Sequence, residues 1–476
     1  MSVVREIADL PGPPRLPLLG NAHQVRTAQL HSTTEQWCER YGPMFRFDIG
    51  RRPFVTIGDI EEINAILRDR PDGYRRWREL LENAKEMTGT FGVFAAEGDD
   101  WRHQRRLAVT ALNSNHLQRY FDVVRTCTER LYRRLSHAAQ NHQTLDIGEQ
   151  LGCFTVDVTS ALAFGHDLNT LERGESVLQG HIQRVFEVSA RRLIVPVPYW
   201  RWFKLPADRA VEHSLTEIQR AVIAFMEQAR ERIAARPQLR EAPENFLEGM
   251  LAAQETDGTF TDDEIVGNVF TLLLAGEDTT AHTMAWTIWL LGSRPDTQAR
   301  WAEEAHDVLG AERFPSGYDT IAELRYGEAV LRESMRLKPV APVLGVEPLA
   351  DTTVASTHIP AGTRLLLLTR YASMQAVTRG REFDPARWLE NGDTPEQTSF
   401  LSFGAGPRFC PGRNLAFLES KAAMAMIARN FEIEIDTSGG AVKELFSFTM
   451  VPQGLRVRLR ERATRRSMPL TASGTV

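Results

Sequence analysis

The residues best suited to chemistry surround one cysteine near the C-terminal end of the chain. Cys410 stands in the string FGAGPRFCPG, residues 403–412, with an arginine two positions before it. Three glycines in ten residues indicate a backbone that adopts positive φ or approaches a large flat group closely. Pro411 suits the first position of a helix, which predicts Cys410 at a helix N-terminus. Unpaired N–H groups and the helix dipole would stabilise a thiolate there.

A thiolate held in this way suits a soft metal or a haem iron better than a disulfide. A simpler interpretation is a glycine-rich turn that leads into a helix and carries a buried cysteine. A dinucleotide-binding loop built on Gly404 and Gly406 is less favoured. The string lacks the third glycine at the proper offset, and a cysteine occupies the wrong place.

Composition limits the class of protein. The chain has 476 residues, 42% hydrophobic and 25% charged, which is typical of a globular enzyme. Its net charge of −6 makes a nucleic-acid partner unfavourable. The four cysteines include no CxxC pair and cannot form a disulfide scaffold, so Cys38, Cys127 and Cys153 are predicted to pack in the core.

The sequence also predicts where the protein works. Met1–Leu10 carries three charged residues and has no apolar core for a signal peptide. No stretch approaches the roughly 20 consecutive apolar residues of a spanning helix. We therefore expect a cytoplasmic protein without a transmembrane anchor.

Most of the chain shows helical periodicity. The predicted helices are Ile60–Arg68, Gln118–Ala139, Leu215–Ala235, Thr261–Gly292, Asp296–Leu309, Ile321–Leu337 and Pro411–Asn430. Alternation on both sides of Gly50-Arg51-Arg52 predicts a hairpin, and short strands are predicted at Arg364–Leu368 and Leu455–Leu459. The fold class is therefore mainly α with small β-sheets.

No repeat or composition break divides the chain, which predicts a single large domain. Residues 1–20 form a proline-rich lead-in, residues 21–462 the main domain, and residues 463–476 a C-terminal tail.

The string around Cys410 closely resembles the haem-binding loop of cytochrome P450 enzymes. The resemblance implies that Cys410 is the axial thiolate ligand of haem b, iron protoporphyrin IX, and that residues 21–462 form a haem-thiolate monooxygenase domain with the cytochrome P450 fold. It also implies that Arg408 binds a haem propionate and that Phe403 packs beside the sulfur. The loop conformation is assigned to its glycines, Gly404, Gly406 and Gly412.

A second motif interrupts the predicted helix Thr261–Gly292. The segment Ala275–Thr280 reads AGEDTT, in which a glycine and four polar residues are costly for a buried helix. A plain kink with hydroxyls bonded back to carbonyls is one interpretation. The resemblance instead implies an oxygen-binding groove in which Ala275 lines the cofactor and Thr279 positions water. Asp278 would relay protons during O2 cleavage.

Further motifs appear in the order the family has. Glu333 and Arg336 form either a surface ion pair or, by resemblance, a buried network with Arg387. Trp101 and Arg105 lie on an exposed basic helix or, by resemblance, hold a propionate. Many family members carry a propionate-binding arginine shortly after the Glu/Arg helix, but residues 338–343 read KPVAPV.

Basic residues are also predicted to gather near the cysteine side of the haem. Together they would form a positive patch that docks an acidic electron donor. Its members are Arg102, Arg106, Arg413 and Lys421.

The predicted pocket is apolar, which suits a small lipophilic substrate. Residues 193–205 read LIVPVPYWRWFKL and are interpreted as packing, a lid or a membrane contact. Arg75 and Arg76 are interpreted as exposed, with a substrate carboxylate as the alternative. The predicted pocket-lining residues are Phe91, Phe94, Leu272, Ala275, Ala341, Val343 and Phe448.

By resemblance the protein is a monomeric monooxygenase that inserts one oxygen atom of O2 into its substrate, by hydroxylation or epoxidation. Because no redox domain fits beside the fold, a separate ferredoxin or flavodoxin with its reductase must supply electrons. The alternatives are a peroxygenase, desaturase or dehydratase, and a non-enzymatic haem-based gas sensor or carrier.

Overall fold

The structure is a computed structural model that describes residues 4–88, 92–174, 180–182, 184, 185, 188, 192, 198–257, 260–390 and 394–462. Helices dominate this part of the chain. Their bounds are Leu30–Tyr41, Ile60–Arg68, Arg78–Thr88, Gly98–Ala111, Ser114–Arg119, Phe121–Gln140, Ile147–Phe164, Thr170–Arg173, Pro206–Ala235, Phe246–Asp257, Asp262–Gly292, Pro295–Leu309, Tyr318–Glu323, Arg325–Leu337, Thr369–Gln375, Pro395–Thr398 and Arg413–Asn430.

The strands form small sheets at the edge of the helical body. A five-stranded sheet has the order Met44–Ile49, Arg52–Ile57, Arg364–Leu367, Leu344–Pro348 and Tyr74–Arg76. A three-stranded sheet joins Phe431–Ile435, Arg456–Glu461 and Leu145–Asp146, and another joins Arg5–Glu6, Thr357–Ile359 and Thr352–Val354. Lys443–Phe446 pairs with Met450–Gln453 as a hairpin. The mainly α class with small sheets in one compact domain is confirmed.

A long helix, Asp262–Gly292, runs through the middle of the molecule and is called the central helix below. It begins with a capping box, because the Thr261 hydroxyl accepts from the Glu264 N–H while the Glu264 carboxylate accepts from the Thr261 N–H. Gly276 lies where it meets the helix Ile147–Phe164, and a Cβ added at Gly276 would stand 2.7 Å from the Thr159 hydroxyl. Close helix packing therefore explains this mid-helix glycine.

Several predicted boundaries are confirmed and others are wrong. The helix Ile60–Arg68 and the hairpin around Gly50 agree with the prediction. The predicted helix Ile321–Leu337 is two helices, because Leu324 leaves the helical conformation at ψ 72°. The last long helix begins at Arg413 with Gly412 as its N-cap, so the prediction that Pro411 is its first residue is wrong.

The N-terminal lead-in packs on the sheet rather than standing free. The Arg46 N–H donates to the Pro11 carbonyl at 2.9 Å. A Cβ added at Gly12 would stand 1.9 Å from the Arg46 carbonyl oxygen, so this contact requires glycine. The predicted division into residues 1–20, 21–462 and 463–476 stays a prediction, and the tail lies outside the described residues.

Three of the four cysteines are buried, as predicted for packing residues. Cys38, Cys127 and Cys153 are each 2% exposed. Burial raises the pKa of Cys38 to about 12 and raises the pKa of Cys127 and Cys153. Among the described residues, no helix is long and apolar enough to span a membrane.

Replacing Gly276 by Ala tests the packing of the central helix. We expect the free energy of unfolding to fall by about 1–2 kcal/mol, because overpacking outweighs the gain in helix propensity. The matched control is Gly249→Ala, whose added Cβ would lie 3.7 Å from Pro243 in ordinary contact. Urea unfolding midpoints measure both variants, and equal stability of the two would contradict the packing explanation.

Candidate active site

The loop before the last helix, residues 403–412, is called the cysteine loop below. Gly404 and Gly406 have φ of 71° and 68°, a conformation that favours glycine, as the sequence predicted. A Cβ at Gly406 would also stand 2.3 Å from the Leu67 carbonyl oxygen. The Cys410 N–H donates to the Phe403 carbonyl at 2.8 Å, which closes the loop on itself.

The sulfur of Cys410 faces the start of the helix Arg413–Asn430. It accepts hydrogen bonds from the N–H groups of Gly412 and Arg413, which together with the charge of Arg105 lower its pKa. Burial is the larger effect and raises the pKa of Cys410 overall. The Cys410 sulfur is therefore surrounded by groups that favour its anion, and a bound metal cation would favour that anion further.

Gly412 differs from the other two glycines of the loop. Its φ of −79° is ordinary, so Gly412 does not supply a positive φ, and its role in a close approach of the loop to a flat group stays a prediction. Phe403 packs against Phe417 with ring centroids 5.5 Å apart. That contact anchors the first residue of the loop to the helix that follows Cys410.

The helix Gly98–Ala111 brings Trp101 and Arg105 to the cysteine loop. Arg105 Nη2 donates to the Phe409 carbonyl at 2.6 Å. The Arg408 guanidinium lies 4.7 Å from the centre of the Trp101 ring. The structure therefore brings these three predicted residues together beside Cys410.

Further charged groups lie next to Arg408, and the sequence did not single out their cluster. Arg408 Nη1 donates to Glu97 Oε1 at 3.1 Å, while its Nε has no hydrogen-bond partner in the described chain. Arg76 Nε donates to the Phe94 carbonyl at 2.8 Å, and its guanidinium stacks 3.9 Å from the Phe94 ring. The interpretation of Arg76 as exposed is therefore wrong, because Phe94 covers it.

The central helix presents the predicted oxygen-site residues. Thr279 Oγ1 donates to the Ala275 carbonyl at 2.7 Å, so the hydroxyl keeps its acceptor lone pairs for another donor. Burial raises the pKa of Asp278 to about 6. Ala275 is exposed although Leu273 and Glu277 beside it are buried, which indicates open space along this face of the helix.

A carboxyl that the sequence analysis missed links the central helix to the helix after Cys410. Glu419 is 1% exposed, and its carboxyl is hydrogen-bonded to Thr280, the neighbour of Thr279. Burial raises the pKa of the Glu419 carboxyl well above its ordinary value. The polar run Glu419-Ser420-Lys421 inside an otherwise apolar stretch of helix could have indicated a buried carboxyl.

Behind the cysteine loop lies the predicted Glu–Arg–Arg network. Glu333 accepts from Arg336 Nε at 2.8 Å and Nη2 at 2.7 Å, and from Arg387 Nε at 3.1 Å. Trp388 Nε1 adds a bond of 2.9 Å. Because Glu333 and Arg336 are fully buried, removing one partner would leave an uncompensated charge.

The predicted basic patch is corrected at Lys421. This residue is 4% exposed and bonded to Glu328 at 3.0 Å, so it belongs to the interior. Arg102 is exposed but paired with Asp99 and Asp72. The predicted patch is therefore wrong at Lys421, and it stays a prediction for Arg106, which is exposed, and Arg413, which is partly exposed.

The predicted pocket residues are described in part. Phe94 and Phe448 lie with ring centroids 6.0 Å apart, so two segments far apart in sequence meet as expected. Phe91 and residues 193–197 lie outside the described residues. In the described remainder of that segment, Trp202 and Phe203 are exposed at 71% and 59%.

These groups fit a haem. Cys410 offers sulfur to iron, and Arg408 Nε, which has no hydrogen-bond partner in the described part of the chain, is suited to a carboxylate. Trp101 and Arg105 flank it, and the exposed face at Ala275 leaves room beside the central helix. When bound, the haem supplies the iron at which O2 is activated.

Comparison with known proteins identifies the class. The family model described as Cytochrome P450 matches residues 10–459, so the chain belongs to the cytochrome P450 family. It is a haem-thiolate monooxygenase whose cofactor is haem b.

Curated relatives match over most of the chain. Protein LUTEIN DEFICIENT 5, chloroplastic, of Arabidopsis thaliana is 27% identical over 447 residues, covering 90% of this chain and 73% of that protein. The mitochondrial 25-hydroxyvitamin D-1 alpha hydroxylase of Mus musculus is 28% identical over 472 residues, covering 95% and 92%. Cytochrome P450 94A1 of Vicia sativa is 26% identical over 448 residues, covering 88% and 84%.

Proposed function

We propose that Cys410 ligates the haem iron and that Asp278 and Thr279 deliver protons while O2 is cleaved. One oxygen atom enters a small lipophilic substrate by hydroxylation or epoxidation. The observation that carries this proposal is the acid–alcohol pair on the central helix. Burial places the pKa of Asp278 at about 6, where a carboxyl can both hold and release a proton.

The two residues have different tasks. The Asp278 carboxyl takes a proton from solvent and passes it on, because its two protonation states are close in free energy near pH 6. Thr279 donates its own proton to the Ala275 carbonyl, so its oxygen is oriented to accept from a water molecule. Thr279 thereby positions water that Asp278 can protonate.

A gas sensor or carrier is less well supported. Binding a gas requires the cysteine ligand but neither a proton donor nor a hydroxyl that orders water. A gas sensor or carrier has no use for a carboxyl whose pKa burial raises to about 6, as it does for Asp278. A peroxygenase likewise has no need of the acid–alcohol pair.

The finer assignments belong to the same proposal. The enzyme acts as a cytoplasmic monomer and receives two electrons from a separate ferredoxin or flavodoxin with its reductase. Trp101, Arg105 and Arg408 hold the haem propionates, supported by their contacts within the cysteine loop. Phe403, Gly404, Gly412 and Ala275 shape the space around the cofactor.

Replacing Thr279 by Ala should uncouple electron consumption from product formation. We expect roughly tenfold less product per electron pair, because water is no longer ordered beside Asp278. Thr287→Ala is the control, since Thr287 makes the same bond to the carbonyl four residues earlier, at 2.8 Å, two turns further along. Product and reductant are measured together, and coupling equal to wild type in Thr279→Ala would contradict the role.

Asp278→Asn should slow product formation about 10²-fold at pH 6, as expected for loss of a general acid. Because the pKa of Asp278 is raised, the carboxyl holds its proton below pH about 6 and loses it above. The advantage of the wild type over the variant should therefore shrink from pH 6 to pH 8. A ratio of turnover rates that is constant over this range would show that Asp278 is not the titrating donor.

A further inference from the structure

A cluster of three arginines lies against the cysteine loop. Arg70 follows the helix Ile60–Arg68, Arg76 ends a strand of the large sheet, and Arg408 belongs to the loop itself. Arg76 and Arg408 are each close enough to Arg70 for their charges to interact. Arg70 is 4% exposed, and the side chain of Arg408 is 3% exposed.

The cluster has too little negative charge of its own. In the described part of the chain, Glu97 is the carboxylate that acts on all three arginines. Both carboxylate oxygens of Glu97 are paired with the Arg408 guanidinium. Three guanidinium groups against one carboxylate leave a surplus of two positive charges in the interior, which is costly without further anions.

Unused donors show where those anions would bind. Arg70 Nε and Nη2 and Arg408 Nε are buried and have no hydrogen-bond partner among the described residues. A buried N–H group without an acceptor is unfavourable, and guanidinium groups match carboxylates in geometry and charge. The cluster is therefore built to receive two carboxylates.

Many members of the family carry a propionate-binding arginine shortly after the Glu/Arg helix, and this chain has none at that place. Residues 338–343 contain no arginine, and Lys338 is already bonded to Glu444. Arg70 and Arg76 supply positive charge from a different segment, before the helix that carries Trp101. Arg70 also stands close to the loop, since the Leu67 carbonyl lies against Gly406.

We propose that Arg70 and Arg76, with Arg408, bind the two haem propionates and replace the arginine missing from residues 338–343. The inference rests on haem as the cofactor and extends the proposed site to two further residues. The two positive charges that Arg70, Arg76 and Arg408 leave beyond Glu97 match the charge of two propionates, while the charge of Arg105 acts on Cys410. Burial of the haem thus neutralises a cluster that the protein alone leaves unbalanced.

The test measures how firmly the holoenzyme holds its haem. Arg76→Gln and Arg70→Gln should each release haem to excess apomyoglobin about tenfold to hundredfold faster than the wild type, since each loses a charged hydrogen bond. Arg78→Gln is the control, because Arg78 lies two residues from Arg76 but is 73% exposed and paired with Glu82. It should release haem at the wild-type rate.

A second measurement separates charge pairing from damage to the fold. Wild type and variants are reconstituted with haem and with haem dimethyl ester, whose propionates are neutral. The wild type should hold haem far more firmly than the ester, and Arg76→Gln and Arg70→Gln should narrow this difference by about tenfold or more. A structural defect would speed the release of both cofactors equally and would leave the preference unchanged.

Two results would overturn the proposal. One is an unchanged preference for haem over its ester in both variants. The other is unchanged haem release together with weaker binding of dodecanoic acid relative to dodecanol in Arg76→Gln, which would assign the cluster to a substrate carboxylate. Both results are obtained on protein that carries haem and a thiolate-type spectrum, so failure here is distinct from failure of the proposed function.

Discussion

A cysteine sulfur that must carry negative charge inside the protein is the constraint on which the rest of the structure depends. Burial raises the pKa of Cys410, while the N–H groups of Gly412 and Arg413 and the charge of Arg105 oppose that effect. The positive φ of Gly404 and Gly406 shapes the loop, which closes through the bond from the Cys410 N–H to the Phe403 carbonyl. The site is thus prepared for an anion that becomes stable when a metal cation binds it.

Other buried charges around this loop follow the same logic. The buried Glu333 carboxylate is paired with both Arg336 and Arg387, so its negative charge is fully compensated behind the loop. Among the described residues, neither Asp278 nor Glu419 has a cationic partner, and burial raises the pKa of both carboxyls. The carboxylate behind the loop is thus compensated by charge, whereas the two carboxyls where the central helix meets the last helix are not, and Asp278 is the one to which the proposed function assigns proton transfer.

Helices and turns were predicted well where their sequence pattern lies within a few neighbouring residues. The helix Ile60–Arg68 and the hairpin around Gly50 followed from periodicity and a turn glycine. The environments of Arg76 and Lys421 could not be predicted in that way. Arg76 is covered by Phe94, and Lys421 is paired with Glu328, 93 residues away. Likewise Gly276 reads as a kink in sequence, but the structure assigns it to packing against Thr159 on another helix. The roles of the site residues were predicted from the resemblance to the family, because residue spacing alone does not assign them.

The absorption spectrum of the reduced, CO-bound protein tests the central claim most directly. The account predicts a strongly red-shifted Soret band in the wild type and in Cys153→Ser, whose cysteine is buried in the core. The same band should be lost in Cys410→Ser, because an alcohol replaces the thiolate ligand. Folded, haem-loaded wild type without the shifted band, or a Cys410→Ser variant that retains it, would contradict the assignment of Cys410 as the iron ligand.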